Sequence, residues 1–233
     1  MSHLLNQPLK CQNPFQPMAR KVKPTKEFNI LHGYPTTNLE DILPVNMISP
    51  NKIDGPWIAG GACMQWYQGK SVDAGDIDVF CKSAEQAESL IKRINEELDL
   101  SSFDVAITET VESPNAFTFE VTQNRPHQAS KKWVIQVIKC KFYDTMQEVI
   151  DGFDLSVCKI ATDGHQWILG KNTIRDLNDR VLRFDRITKD SPKRLIKYWI
   201  YGFIPQPEIF QQLKDNNVRW DFSDDVEYDQ SSL

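Results

Sequence analysis

The pattern of apolar and polar positions lays out a short series of elements. Trp57, Ile58 and Ala59 form an apolar strand signal that runs straight into Gly60 and Gly61. Ala62 to Gln68 then reads as a short helix, with Gly69 as the residue that stops it. The run Asp76-Ile77-Asp78-Val79-Phe80 alternates acid and apolar, which predicts a second strand. From Ser83 the period changes to 3.6: Leu90, Ile91, Ile94 and Leu98 make one stripe of a helix reaching to about Leu98. Three strand signals follow, at Phe103–Thr110, Ala116–Thr122 and Trp133–Cys140, the last two joined by a polar loop that reads as a hairpin.

The second half of the chain is more broken. Asp144 is placed to cap a short helix through Ile150, ended by Gly152, and Gln166–Leu169 reads as a strand. Ser191-Pro192 is a strong helix start with proline at the first position, and the helix runs to Tyr201 with Gly202 as its stop. Leu195, Ile196, Trp199 and Ile200 are its expected buried stripe, with Lys193, Arg194 and Lys197 on the other face. A last helix is expected from Pro207 to Asn216. Upstream of everything, Asn38 is placed to cap a short helix through Val45. Strands and helices in this order predict an α+β architecture, a mixed sheet with helices flanking it.

Composition narrows the class only a little. At 233 residues, 40% hydrophobic and 25% charged, the usage is that of an ordinary folded domain. No stretch of 18 apolar residues and no signal-like N-terminus is present, so the expectation is a cytoplasmic protein with no membrane partner. Five cysteines, widely spaced and without a C-x-x-C pair, argue against a disulfide framework and a zinc site. The net charge of −5 is unevenly spread. Residues 171 to 197 are rich in Lys and Arg, which either faces a polyanion or is a solvated helical face, whereas 208 to 229 is rich in Asp and Glu. Pro8, Pro14, Pro17 and Pro24 among scattered basic residues predict a flexible arm over 1–27, and the acidic 219–233 reads as a tail.

The chemistry concentrates between Trp57 and Phe80. In a strand, Asp76 and Asp78 point the same way, with their carboxylates about 6–7 Å apart along the chain. Two such charges repel, and a hard divalent cation that also holds phosphate relieves that repulsion. The Gly60-Gly61 turn lets backbone approach phosphate oxygens closely and aims N–H groups at them.

A Gly-Gly turn, a short helix and then Asp-x-Asp resembles the signature of the polymerase-beta-like nucleotidyltransferases. The closest likeness is to the head and neck of CCA-adding enzymes and bacterial poly(A) polymerases, including reduced, phage-encoded relatives. The resemblance covers roughly residues 55 to 205 and is specific at the Gly-Gly to Asp-x-Asp block. It implies a nucleotidyltransferase head over 28–170 and a helical neck-like segment over 171–218. It further implies Mg²⁺ or Mn²⁺ held by Asp76 and Asp78 as catalytic and metal residues, with an NTP as substrate.

Within Gly152–Gly164, Asp154 stands where the family's second block has an aspartate that contacts the nucleotide, although the two arginines before it are absent; as a plain reading, Asp154 caps a helix beginning at Leu155. Nucleotide-binding residues are therefore expected at Gly60, Gly61 and Asp154, with Lys193, Arg194 and Lys197 of the neck helix supplying the missing positive charge. The family often adds a third carboxylate from a neighbouring strand, and here the candidates are Gln136, a neutral oxygen, and Glu120. The implied reaction moves an NMP from an NTP to an acceptor hydroxyl on an RNA end, a protein or a small molecule. The alternative is a catalytically degenerate binding or phage accessory protein that keeps the fold.

Overall fold

A computed structural model describes residues 48, 54–69, 76–100, 105–124, 130–164 and 166–218, all within one compact unit, His32–Leu233. The expected arm over 1–27, the helix from Asn38 and the acidic tail lie outside the described residues. Among the described residues the centre is a seven-stranded sheet in the order β3-β4-β5-β2-β1-β6-β7. The strands are β1 (Trp57–Ala59), β2 (Asp76–Phe80), β3 (Val105–Glu112), β4 (Ala116–Gln123), β5 (Lys131–Ile138), β6 (Ile160–Thr162) and β7 (Trp167–Leu169). With helices packed around it, the architecture is the mixed α+β one.

Within this sheet only β2 and β5 run parallel, with Asp76 beside Val134 and Asp78 beside Gln136. The other neighbours are antiparallel, and β3-β4-β5 is a meander in which both connections are hairpins. Alternation sorts each strand's two faces. Ile77 and Val79 of β2, Phe119 and Val121 of β4, and Trp133, Ile135 and Val137 of β5 are buried in one core cluster. Helix α2 (Ala84–Leu100) covers that face, burying Ala87, Leu90 and Ile94. Leu90 and Ile94 each contribute about 1.5–3 kcal/mol by leaving water. Its start is held as the pattern predicts: Ser83 Oγ accepts from the Gln86 amide at 3.2 Å, while Gln86 Oε1 accepts from the Lys82 amide at 2.7 Å. The side chain of Leu98 lies outside the described residues.

Helix α1 (Gly61–Tyr67) follows β1 through Gly60, and Gly69, at φ 68, closes it by donating to the Trp66 carbonyl at 2.9 Å. Helix α3 (Met146–Asp151) is capped by Thr145, whose hydroxyl accepts from the Glu148 amide at 3.2 Å, and not by Asp144. Glu148 reaches back to the Asp144 amide at 2.9 Å, so the box closes one residue later than expected.

The remaining elements are a 3-10 turn (Ser156–Cys158), α4 (Thr173–Asn178), β8 (Val181–Leu182), α5 (Ser191–Ile200), β9 (Ile204–Pro205) and α6 (Pro207–Asp215). Helix α5 ends as predicted, with Gly202 at φ 88 just beyond it. Its buried face is a correction to the expected stripe. Leu195 and Tyr198 go inside, whereas Trp199 is 53% and Ile200 77% exposed. The Cys158 thiol donates to the Tyr198 hydroxyl at 2.9 Å, and Arg194 is held by Asp154. Turning the helix to bury Trp199 would break both contacts. Leu195, Tyr198, Ile209 and Leu213 share the core cluster of the sheet and α1.

Candidate active site

The strand β2 carries two acids on the face opposite its buried Ile77 and Val79. Asp78 lies between Ala59 of β1 and Gln136 of β5, and Asp76 beside Val134. Neither carboxylate has a hydrogen-bond or ion-pair partner among the described residues. Burial pushes the Asp78 carboxyl up to about 7; Asp76 adds repulsion, while Lys197 and Arg194 pull the other way. A group in this condition gains from any cation that comes to it.

Above the acids, β1 turns into α1 at Gly60, whose φ of 87 and ψ of −139 lie where only glycine is at ease. A Cβ there would stand 3.0 Å from the Phe153 ring and 3.8 Å from Asp78 Oδ2. Gly61, the first residue of α1, has no such constraint: a Cβ would meet only the Tyr198 hydroxyl at 3.4 Å. The first N–H groups of a helix have no partner within it, and Gly61 and Ala62 at this helix start line the same cleft as the two acids.

The third side comes from residues far along the chain. Asp154 is 1% exposed and its oxygens are fully engaged. Oδ1 accepts from the Leu155 amide at 2.9 Å and from Arg194 Nη1 at 2.7 Å, and Oδ2 faces the hydroxyls of Ser191 at 3.4 Å and Thr188 at 3.5 Å. Asp154 thus ties the start of α5 to the 3-10 turn and fixes the Arg194 guanidinium. It does not cap that turn with its side chain, since Leu155 occupies the cap position. Arg186, between β8 and α5, donates to the Gly152 carbonyl.

These pieces enclose one cleft of about 160 Å³. Gly61, Asp76, Asp78, Asp154, Arg194 and Lys197 all line it. Gly60 shapes the turn behind it, and Lys193, one residue before Arg194, is not on its wall. The sequence reading missed the aromatic part of the wall, namely Phe153, Tyr198 and Tyr201. An aromatic lining gives a planar ring a surface to lie on. Cys158 lines it too, but burial pushes its thiol up to about 12, so it stays protonated. The one signal for Tyr198 was its i+3 spacing from Leu195.

The two candidates for a third carboxylate part ways. Gln136 is the direct neighbour of Asp78, whereas Glu120 of β4 is separated from Asp76 by the whole of β5, with Val134 between them. At about 4.8 Å per strand, Glu120 stands too far to share an ion with Asp78. Among the described residues no group of three His, Cys, Asp or Glu side chains could hold a metal ion. Two carboxylates that repel each other, with phosphate oxygens and water completing the shell, nevertheless fit Mg²⁺, which takes one or two carboxylates and keeps several waters. The donor set is all oxygen and hard, as that ion requires.

A model of the Gabija anti-defense 2 family matches residues 30–180. No curated protein matches. Among solved structures, the chain is similar to a tRNA-processing enzyme in an apo form, at 18% identity and a TM-score of 0.46, over 69% of this chain and 41% of that one. It is similar also to the Bacillus stearothermophilus CCA-adding enzyme in complex with CTP, at 16% identity and a TM-score of 0.44, over 69% of this chain and 38% of that one. A third is the Thermotoga maritima CCA-adding enzyme complexed with tRNA, at 17% identity and a TM-score of 0.42, over 68% and 37%. The chain therefore spans about two-fifths of the length of these proteins.

Proposed function

The chain belongs to the Gabija anti-defense 2 family, and we propose that it works there as a metal-dependent nucleotidyltransferase. The reaction moves an NMP from an NTP to an acceptor hydroxyl and releases pyrophosphate. The family's name gives the biological setting of the proposal, the countering of a Gabija defence. One observation carries the reading: an unpartnered acid pair, a glycine turn and two cations meet in a single cleft although they come from β2, the β1–α1 turn and α5.

Each residue has a task that its surroundings suit. Asp76 and Asp78 would hold Mg²⁺ or Mn²⁺, which supplies charge neutralisation at the α-phosphate and leaving pyrophosphate. Gly61 leaves the helix start open to phosphate oxygens. Arg194 and Lys197 face the triphosphate from the opposite wall, a role that a family with arginines before Asp154 gives to those residues. Asp154 holds Arg194 in place, and Phe153 and Tyr201 offer flat apolar surface to the base. Lys193, outside the wall, serves the approach of a polyphosphate by charge alone.

A second reading keeps the nucleotide cleft and drops the chemistry. It is favoured by the neutral Gln136 beside Asp78, where a third acid would assist. Pyrophosphate release separates the two. With γ-labelled NTPs, Mg²⁺ and mixed hydroxyl acceptors, the first reading predicts labelled pyrophosphate whose release Asp76→Asn abolishes, and binding without release selects the second.

A further inference from the structure

Helix α5 has a side that neither the cleft nor the core uses. Arg194, Lys197 and Tyr201 line the cleft, and Leu195 and Tyr198 pack inside. At about 100° per residue, Trp199 and Ile200 fall on the remaining side. They are largely exposed, and Ile204 of β9, just beyond the helix, is 65% exposed. The contacts of Tyr198 with Cys158 and of Arg194 with Asp154 fix the rotation of α5, so turning the helix cannot bury this side. Single exposed apolar residues are ordinary, but a tryptophan and two isoleucines within six residues make a patch of the kind that marks a contact surface. Two exposed cations accompany it. The Arg180 carbonyl accepts from the Ile204 amide at 2.7 Å, and a Cβ at Gly202 would stand 3.1 Å from the Arg180 Nη1; Lys214 lies on α6, four residues before Val218.

The chain itself carries a segment of matching chemistry directly after α6. That helix ends with Asn217 at φ 54, where the Asn217 amide donates to the Lys214 carbonyl and the Val218 amide to the Leu213 carbonyl, each at 3.0 Å. The closure takes the backbone off the helix axis and sets Val218 against the core. The residues that follow read Arg219-Trp220-Asp221-Phe222-Ser223-Asp224-Asp225, with Glu227 and Asp229 further on. Aromatic residues therefore come first, with acids among and after them. Helix α6 has nine residues and is about 14 Å long, a length that four or five extended residues cover at about 3.3 Å each. Trp220 and Phe222 are thus within reach of the patch, which begins at Ile204 just before α6, and the acids are within reach of Lys214 and Arg180. We propose that residues 219–233 fold back over this side of the molecule, with Trp220 and Phe222 against Trp199, Ile200 and Ile204 and the acids facing the two cations. Tethering gives this segment an effective concentration of about millimolar, an advantage over a second copy or a separate protein. Placed there, it braces from outside the helix that carries Arg194 and Lys197 into the cleft. The proposal stands independently of the nucleotidyltransferase reading.

Hydrogen–deuterium exchange on the full chain tests it, followed separately over residues 196–205 and 219–233 at two protein concentrations. In wild type the amides of 219–233 should exchange at least about tenfold more slowly than an unstructured chain of the same sequence. Ile200→Ser with Ile204→Ser should abolish that protection, and Trp220→Ser with Phe222→Ser should speed exchange over 196–205 at least about threefold. Ile200 and Ile204 are largely exposed in the described fold, so the serine variant is expected to stay folded, with unchanged exchange over β1, β2 and β5 as the check. Exchange of 219–233 at the unstructured rate in wild type overturns the proposal, as does protection that survives the isoleucine substitutions in a folded variant. Protection that grows with protein concentration, together with a dimer in sedimentation, assigns the patch to a second copy and overturns it equally.

Discussion

Aspartates enter the cleft from two regions of the molecule, and they are held in opposite ways. Asp154 is buried with an arginine, a backbone amide and two hydroxyls around it. Asp78 is set beside another carboxylate with nothing bonded to it among the described residues, and its carboxyl is pushed up to about 7. A fully satisfied buried charge is part of the scaffold, and removing it costs stability. An unsatisfied one costs stability while it remains, and the fold tolerates it where a ligand completes it. The difference divides the acids into one that is bonded into the wall of the cleft and a pair that has no partner there among the described residues.

The comparison breaks most visibly in Asp154→Ala. That change strands Arg194 and takes one partner from the Ser191 hydroxyl, which keeps Thr188, and it should lower unfolding stability by roughly 3 kcal/mol in urea denaturation. Asp154→Asn, which keeps the shape, should cost less. Wild-type stability in Asp154→Ala would mean that the network is ornamental.

Asp78→Asn should act in the other direction, and with pH. A carboxyl raised in the folded state binds a proton there that the unfolded chain has already lost, so stability falls as pH rises from near 4 to about 7 and stays reduced above. The substitution removes that cost: about 2–4 kcal/mol of gain at pH 8, shrinking to nothing at pH 4. A pH-independent difference between variant and wild type in thermal melts would contradict it.

The glycine pair sharpens the contrast between scaffold and site. Gly60→Ala should destabilise by about 1–3 kcal/mol, through its left-handed φ and the Phe153 ring. Gly61→Ala should change stability by less than about 0.5 kcal/mol, so that any loss of nucleotide affinity there reports on the cleft alone. The smallest effect separates the neighbours before α3: Thr145→Ala loses about 1 kcal/mol as a cap, and Asp144→Ala close to nothing. Denaturant midpoints of the four variants rank them.

What could be read in the sequence follows the range of the forces involved. Strand β1, the glycine turn, α1 and the alternating β2 were legible because local periodicity and backbone freedom determine them. The long stripe of α2 and its Ser83 cap were legible for the same reason. The α5 face was not, because its apolar residues permit two helical faces, and the choice is made by Cys158 and Asp154, forty residues upstream. Asp154's partners Thr188, Ser191 and Arg194 carry no local signature tying them to it. The opposition of Glu109 to Glu120 was equally hidden, since it depends on a register shift within β3 near Ile107 and Glu109. Arg194 and Lys197 also lie beyond the 30–180 span that the family model matches.

The central claim is that Asp76 and Asp78 form a metal-dependent nucleotide site, and calorimetric titration of ATP and CTP tests it most directly. The account predicts binding by wild type that requires Mg²⁺, strengthens as pH rises toward 8 with the loss of the Asp78 proton, and disappears in Asp76→Asn with Asp78→Asn while the melting temperature holds or rises. Nucleotide affinity in the double variant equal to wild type, or binding indifferent to Mg²⁺, would contradict it.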